Sequence, residues 1–179
     1  ATVDVRALVD SAVSGTRLYR PEDFDELASL ARVARDARVE SVPRVEVTGE
    51  TTAEAARRLV SVEGETNVLA LNFASAKNPG GGFLRGAKAQ EEDLARCSAL
   101  YTCQLTQRAY YDANRASGSM LYTDHMIHSR GSGRGLTECL ASQRLSRRVR
   151  FTLQLYFPPD VSPHSSQSMA SILCGPCVT

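Results

Sequence analysis

The chain has no apolar run near the roughly 20 residues that a bilayer-spanning helix needs. Its N-terminus also lacks the basic-then-apolar pattern of a secretory signal. Both absences point to a cytoplasmic protein without a membrane partner. No disulfide framework is present either. The five cysteines, Cys97, Cys103, Cys139, Cys174 and Cys177, are odd in number and irregular in spacing, which argues against a disulfide scaffold and agrees with a reducing compartment. Excess charge of one sign is missing overall, with 21 Lys/Arg against 20 Asp/Glu. The first residue is Ala1 and not Met, which leaves open a cleaved leader or a longer parent chain. What is present suits one folded domain with a real core: 179 residues, 42% hydrophobic and 23% charged.

The balanced total conceals an asymmetry. Residues 1–129 hold 15 Lys/Arg against 18 Asp/Glu, whereas 130–179 hold 6 Arg against Glu138 and Asp160 alone. The second stretch contains the small basic run from Arg130 to Gly135, the cluster Arg144, Arg147, Arg148 and Arg150, and a polar run from Ser162 to Ser168. Few apolar residues there offset the entropy of ordering. The division expected is a domain over 1–129 and a divergent, basic, partly disordered tail over 130–179, in which Phe151–Phe157 forms one strand. Clustered arginines are ordinarily a solvated surface, so no specific nucleic-acid partner is expected. Cys174-Gly175-Pro176-Cys177 looks like the thioredoxin tetrapeptide, yet only Val178 and Thr179 follow it, and a redox dithiol opens a helix inside a βαβ fold. His125 and His128 fall in a strand-like run without a third ligand nearby, and catalytic zinc takes three. Neither a metal nor a cofactor is expected.

Elements alternate along the first 129 residues. Val3, Val5, Leu8, Val9 and Val13 suggest a helix ending at Gly15, and Phe24, Leu27, Ala28, Ala31 and Ala34 one over about 22–37, opened by Pro21. Val45-Glu46-Val47 alternates as a short strand. Thr51-Thr52-Ala53-Glu54 fits a capping box that starts a helix, and Gly64 punctuates its end. Val68–Phe73 is an almost continuous apolar run, consistent with a strand covered on both faces. Met120–Ile127 supplies another strand. Tyr110 and Tyr111 sit on a helix as core or surface residues. Helices and strands in this order imply an α/β domain.

Between two of these elements lies the densest pattern in the chain. Asn78-Pro79-Gly80-Gly81-Gly82 is separated by seven residues from Gln90-Glu91-Glu92. Glycines carry no Cβ, so a ligand or another backbone can approach closely. Leu94, Cys97, Tyr101 and Leu105 then continue at helical spacing, which puts both acids in the first turn of a single helix, where free amides and the dipole favour negative charge. Acids at a helix start have a purely stabilising explanation as well. The glycines tip the balance towards a ligand site, since a strand, a glycine-rich loop and a helix N-terminus are a general arrangement for holding anions.

The stretch from Asn72 to Leu84, with Gln90-Glu91-Glu92-Asp93-Leu94-Ala95-Arg96 and Ser98-Ala99-Leu100-Tyr101, resembles the microbial poly(ADP-ribose) glycohydrolases. Leu121–Ile127 and the capped helix before the motif agree with it. The likeness runs from about residue 45 to Ser129. It implies a macrodomain-like, three-layer α/β/α fold with a mixed sheet, incomplete on its C-terminal side. Beyond Ser129 no counterpart is recognisable for the family's later strands, its second glycine-rich loop or its adenine-stacking aromatic, and the tail reads as a frameshifted, alternatively spliced or otherwise abnormal end. The activity implied is metal-free hydrolysis of the ribose–ribose O-glycosidic bonds of poly(ADP-ribose), releasing ADP-ribose. By resemblance Glu92 is acid and then base, and Glu91 and Gln90 hold ribose hydroxyls and keep the acid positioned. Asn78 and the backbone of Gly80, Gly81 and Gly82 would meet the distal ribose and phosphate, with Phe83 shaping the cleft wall. Repulsion between the adjacent acids would raise the pKa of one of them. Partners implied are poly(ADP-ribose) or ADP-ribosylated proteins, with the chain acting as a monomer. A non-catalytic ADP-ribose-binding module and an inactive fragment are the competing readings.

Overall fold

The computed structural model describes residues 4–36, 45–65, 67–118 and 121–130, and the backbone alone of 148–153 and 172–173. The Asp4 carboxylate accepts from the Arg6 and Ala7 amides and opens α1, Val5–Ser14, which Gly15 closes. Strand β1, Thr16–Tyr19, follows. Pro21–Asp23 forms a 3-10 turn in which Asp23 accepts from the Arg20 amide, and α2 then runs Phe24–Asp36. The capping box at Thr51 is formed as expected. Its hydroxyl accepts from the Glu54 amide at 3.2 Å, the Glu54 carboxylate accepts from the Thr51 amide at 2.8 Å, and α3 spans Thr52–Ser61.

Strand β2 is Asn67–Asn72 and leads through the glycine loop and a 3-10 turn at Phe83–Arg85 into α4, Gln90–Cys97. Helices α5, Leu100–Leu105, and α6, Arg108–Ala116, come next, then β3, Met126–Arg130. Strands β4, Arg148–Leu153, and β5, Ile172–Leu173, complete a five-stranded sheet of order β1-β3-β4-β2-β5. The β2 and β4 strands are parallel and the other pairs antiparallel, which makes the sheet mixed. Phe151, inside the run expected to form a strand, pairs with Ala70 and Ser129 at the centre of the sheet, while 154–157 lie outside the described residues. The Cys174–Cys177 tetrapeptide lies outside them too.

Two apolar clusters hold the elements together. In the first, Val68 and Ala70 of β2 meet Ala56, Leu59 and Val60 of α3, Leu94 of α4 and Leu100 of α5. In the second, Ile127 of β3 meets Ala74, Tyr110 and Tyr111, with Leu18 alongside. Thr16 and Ser129 are direct partners across β1 and β3, and Ser129 and Ala70 both pair with Phe151, so Thr16, Ser129 and Ala70 share one face of the sheet.

Four sequence expectations change. Val45-Glu46-Val47 is not a strand: it pairs with no ladder, and Val45 and Val47 are 82% and 90% exposed. The apolar run at β2 is not covered on both faces. Val68, Ala70 and Asn72 are buried but Leu69 is 40% exposed, because α3 and α4 pack on one side only. The strand expected at 120–127 starts late, at Met126, since the Thr123 amide and hydroxyl are both tied to Asn114 Oδ1 and hold the approach as a loop. The single helix expected from Gln90 through Leu105 is two. Ser98 is extended, its hydroxyl donating to the Leu94 carbonyl at 2.6 Å and accepting from the Leu100 amide, so it ends α4 and starts α5.

Candidate active site

The chain leaves β2 at Asn72, crosses the glycine loop and returns at Gln90, whose side chain fastens the return. Its Nε2 donates to the Leu71 carbonyl at 2.8 Å and to Thr52 Oγ1 at 3.1 Å, and its Oε1 accepts from the Phe73 amide at 2.8 Å. Both amide protons of Gln90 are therefore spent inside the protein. The residue expected to hold ribose hydroxyls is a strut joining the start of α4 to the end of β2 and the start of α3.

Glu91 points inward. It is 3% exposed, its Oε2 accepts from the Ser75 amide at 2.8 Å and its Oε1 from Gln104 Nε2 at 2.7 Å. Burial pushes its pKa up from the ordinary carboxylate range, opposed by those two donors and reinforced by the charge of Glu92. The Asn72 side chain lies close enough to favour the ionised form, without a partner in hydrogen-bond geometry.

Glu92 turns to the loop. It is 6% exposed, with Oε1 accepting from the Gly82 amide at 2.7 Å and Oε2 buried without a partner among the described residues. The glycines make this approach possible. A Cβ on Gly81 would collide with Glu92 Oε1 and stand 2.9 Å from Glu91 Oε2, so both carboxylates converge on that residue. Gly80 and Gly81 also have φ of +65° and +56°, a region that L side chains rarely occupy. A Cβ on Gly80 would meet Tyr101, and one on Gly82 would meet Ala87, each at 2.7 Å. The glycine amides are partly used internally, that of Gly81 donating to the Asn78 carbonyl at 3.0 Å.

Ser75 links the two walls. Its amide serves Glu91 while its hydroxyl accepts from the amides of Lys77 and Asn78, shaping the turn before the glycines. Asn78 is exposed at the loop, and Phe83 is half-buried with its ring centroid 5.1 Å from that of Tyr101. Gln90, Glu91, Glu92 and Gly80–Phe83 are thus gathered as the motif predicts. Reading the sequence missed Asn72, Ser75 and Gln104, which the fold brings to Glu91 from β2, the loop and α5. Tyr101, a helix-stripe residue that also falls within the resembling stretch, backs Gly80.

Strand, glycine loop and acid-bearing helix define an α/β domain with a paired-carboxylate site at the end of a strand. Residues 1–132 match the microbial-type PARG catalytic domain, and the chain belongs to that family. Solved structures agree. Poly(ADP-ribose) glycohydrolase from Thermomonospora curvata, bound to the inhibitor ADP-HPD, is 41% identical with a TM-score of 0.63, over 84% of this chain and 52% of that one. The enzyme from Deinococcus radiodurans in complex with ADP-ribose is 41% identical with a TM-score of 0.62, over 82% of this chain and 56% of that one. The chain therefore spans about half the length of these relatives. Comparison with curated proteins finds no match.

Proposed function

We propose that this chain carries the acid–base centre of a poly(ADP-ribose) glycohydrolase with a macrodomain-like fold, and that it hydrolyses ribose–ribose O-glycosidic bonds to release ADP-ribose. One observation carries the reading. Glu92 is nearly buried, has one oxygen pinned by the Gly82 amide, and keeps the other without a partner beside Glu91. A helix-start acid kept only for stability has no need of a buried, unpartnered oxygen, which costs free energy.

In the reaction, Glu92 protonates the bridging glycosidic oxygen as its bond to the ribose C1 breaks through an oxocarbenium-like state. The carboxylate so formed takes a proton from water as that water adds to C1, which restores the acid. Glu91 accepts hydrogen bonds from ribose hydroxyls. Asn78 and the Gly80–Gly82 backbone contact the distal ribose and phosphate, and Phe83 walls the cleft. Gln90 positions the acids and does not touch the sugar. Residues 1–129 carry the catalytic motif, in keeping with a family match over 1–132, and β4 from beyond them completes the centre of the sheet. The substrate is poly(ADP-ribose) or ADP-ribosylated protein, and the chain acts as a cytoplasmic monomer. Cys97 and Cys103 carry thiols and not disulfides, in keeping with a reducing compartment, and no helix among the described residues is long and apolar enough to cross a membrane.

Release of ADP-ribose from purified poly(ADP-ribose), measured for this chain and for Glu92→Gln, tests the reading. Turnover that disappears in the variant is the expected result. Binding of ADP-ribose without turnover by the unaltered chain would select a binding module instead.

A further inference from the structure

We infer that Gln104 is a positioning residue of this site: from α5 its Nε2 donates to Glu91 Oε1, and with the Ser75 amide on Oε2 it holds the Glu91 carboxylate as an oriented acceptor for substrate hydroxyls. The inference rests on the proposed function for its substrate and on geometry for the rest. Gln104 is fully buried, and its bond to Glu91, at 2.7 Å, is among the few side-chain pairs here that are buried throughout. The two donors take different oxygens, so they fix the carboxylate plane and not merely its place. A charge-assisted hydrogen bond of this kind is stronger than a neutral one.

The surroundings explain why a donor is needed. Glu91 is faced by Glu92 from its own helix, by Asn72 from β2, by the Ser75 amide from the loop, by Gln104 from α5, and by Tyr110 and Tyr111 from α6. None of these is a cation. Burial and the neighbouring acid both oppose its charge, and the phenols, themselves driven upward by burial, stay neutral. Among the described residues, the groups that favour the ionised form of Glu91 are therefore neutral donors, and Gln104 is the side chain among them with a formed bond. Among the described residues Gln104 Oε1 has no partner, nor do the Tyr111 hydroxyl and either amide atom of Asn72. The bond to Glu91 is thus the side-chain hydrogen bond that Gln104 forms among the described residues.

The test compares the full chain with Gln104→Leu and Gln104→Glu. Glu91 titration is read by NMR of carboxyl-labelled glutamate, assigned with Glu91→Gln, beside ADP-ribose affinity across pH. Gln104→Leu should move the Glu91 midpoint to higher pH and weaken ADP-ribose binding about tenfold to a hundredfold, the loss of a hydrogen bond to a charged group. The binding loss should shrink as pH rises. Gln104→Glu donates only while protonated, so its carboxyl should titrate with Glu91 in two separated, coupled steps, and binding should fall as pH rises. An unmoved Glu91 midpoint in folded Gln104→Leu overturns the inference; if that variant does not fold, independent single titrations in Gln104→Glu do so. Failure of the unaltered chain to bind ADP-ribose would overturn the proposed function, while the titration still decides the role of Gln104.

Discussion

Glu91 and Glu92 are neighbours in the chain and almost equally buried, yet they belong to different regions. The wall behind Glu91 joins the Gln104 side chain of α5 and the tyrosines of α6 to the Ser75 amide of the loop, brought together by tertiary packing, and its two donors take two different oxygens. The wall facing Glu92 is the backbone of one short loop, and it supplies one donor and leaves one oxygen unpartnered. A carboxylate with both oxygens occupied is suited to hold still and accept, whereas one with a spare oxygen can gain and lose a proton. Two identical residues thus meet different surroundings, which suit them to different work under the proposed mechanism.

The contrast is sharpest if the two walls are broken separately. Glu92→Gln should abolish the proton transfers while leaving ADP-ribose binding intact, a fall of about 10²–10⁴ in turnover, read from ADP-ribose release. Gly81→Ala attacks the same wall from the loop side. At a φ of +56° with Glu92 Oε1 in the way, alanine combines backbone strain with collision, so thermal unfolding should show a loss of at least about 1–3 kcal/mol, and turnover should fall with it. Survival of activity in Gly81→Ala would mean that the two carboxylates need not converge there. Gln90→Leu should act on both walls at once by leaving the Phe73 amide, the Leu71 carbonyl and Thr52 without this partner, at a cost in stability of about 1–3 kcal/mol in all, since the Phe73 amide is exposed and the other two are only partly buried. A Gln90 that contacted ribose would instead raise KM with stability unchanged.

Legibility follows the same division. The loop wall was readable because its parts are contiguous: three glycines, a short spacer and two acids specify a close approach without reference to the rest of the fold. The caps at Thr51 and Gly15 were readable for the same reason. Gln104 was not, because only the break at Ser98 turns it inward. Helical spacing carried straight through that serine selects Leu105, which is 46% exposed, while Leu100, Cys103 and Gln104 are buried. Alternation at Val45-Glu46-Val47 misled because a strand needs a neighbour, and periodicity says nothing of one. Asn114 restrains Thr123 by bonds between residues nine apart, a contact no local pattern announces.

The smallest effect expected is also the most specific to the inner wall. Because burial raises Glu91 above the ordinary carboxylate range, the folded chain holds its proton where the unfolded chain has released it. The stability that proton contributes is fully present below the ordinary carboxylate value and is lost as pH rises through the folded value of Glu91. Glu50, lowered by Arg58, and Glu54, lowered by Thr51, act in the opposite sense, contributing stability above the ordinary range that is lost as pH falls through their own values. Total stability against pH mixes the two, so the difference between Glu91→Gln and the unaltered chain is the useful quantity. An amide at 91 can still accept from Ser75 and, if Gln104 turns over, donate to its unpartnered Oε1. Glu91→Gln should therefore weaken ADP-ribose binding yet melt at a higher temperature than the unaltered chain at pH 8, with the gap closing towards pH 4. A gap that is constant with pH would place the inner carboxyl outside the titration that the geometry assigns to it.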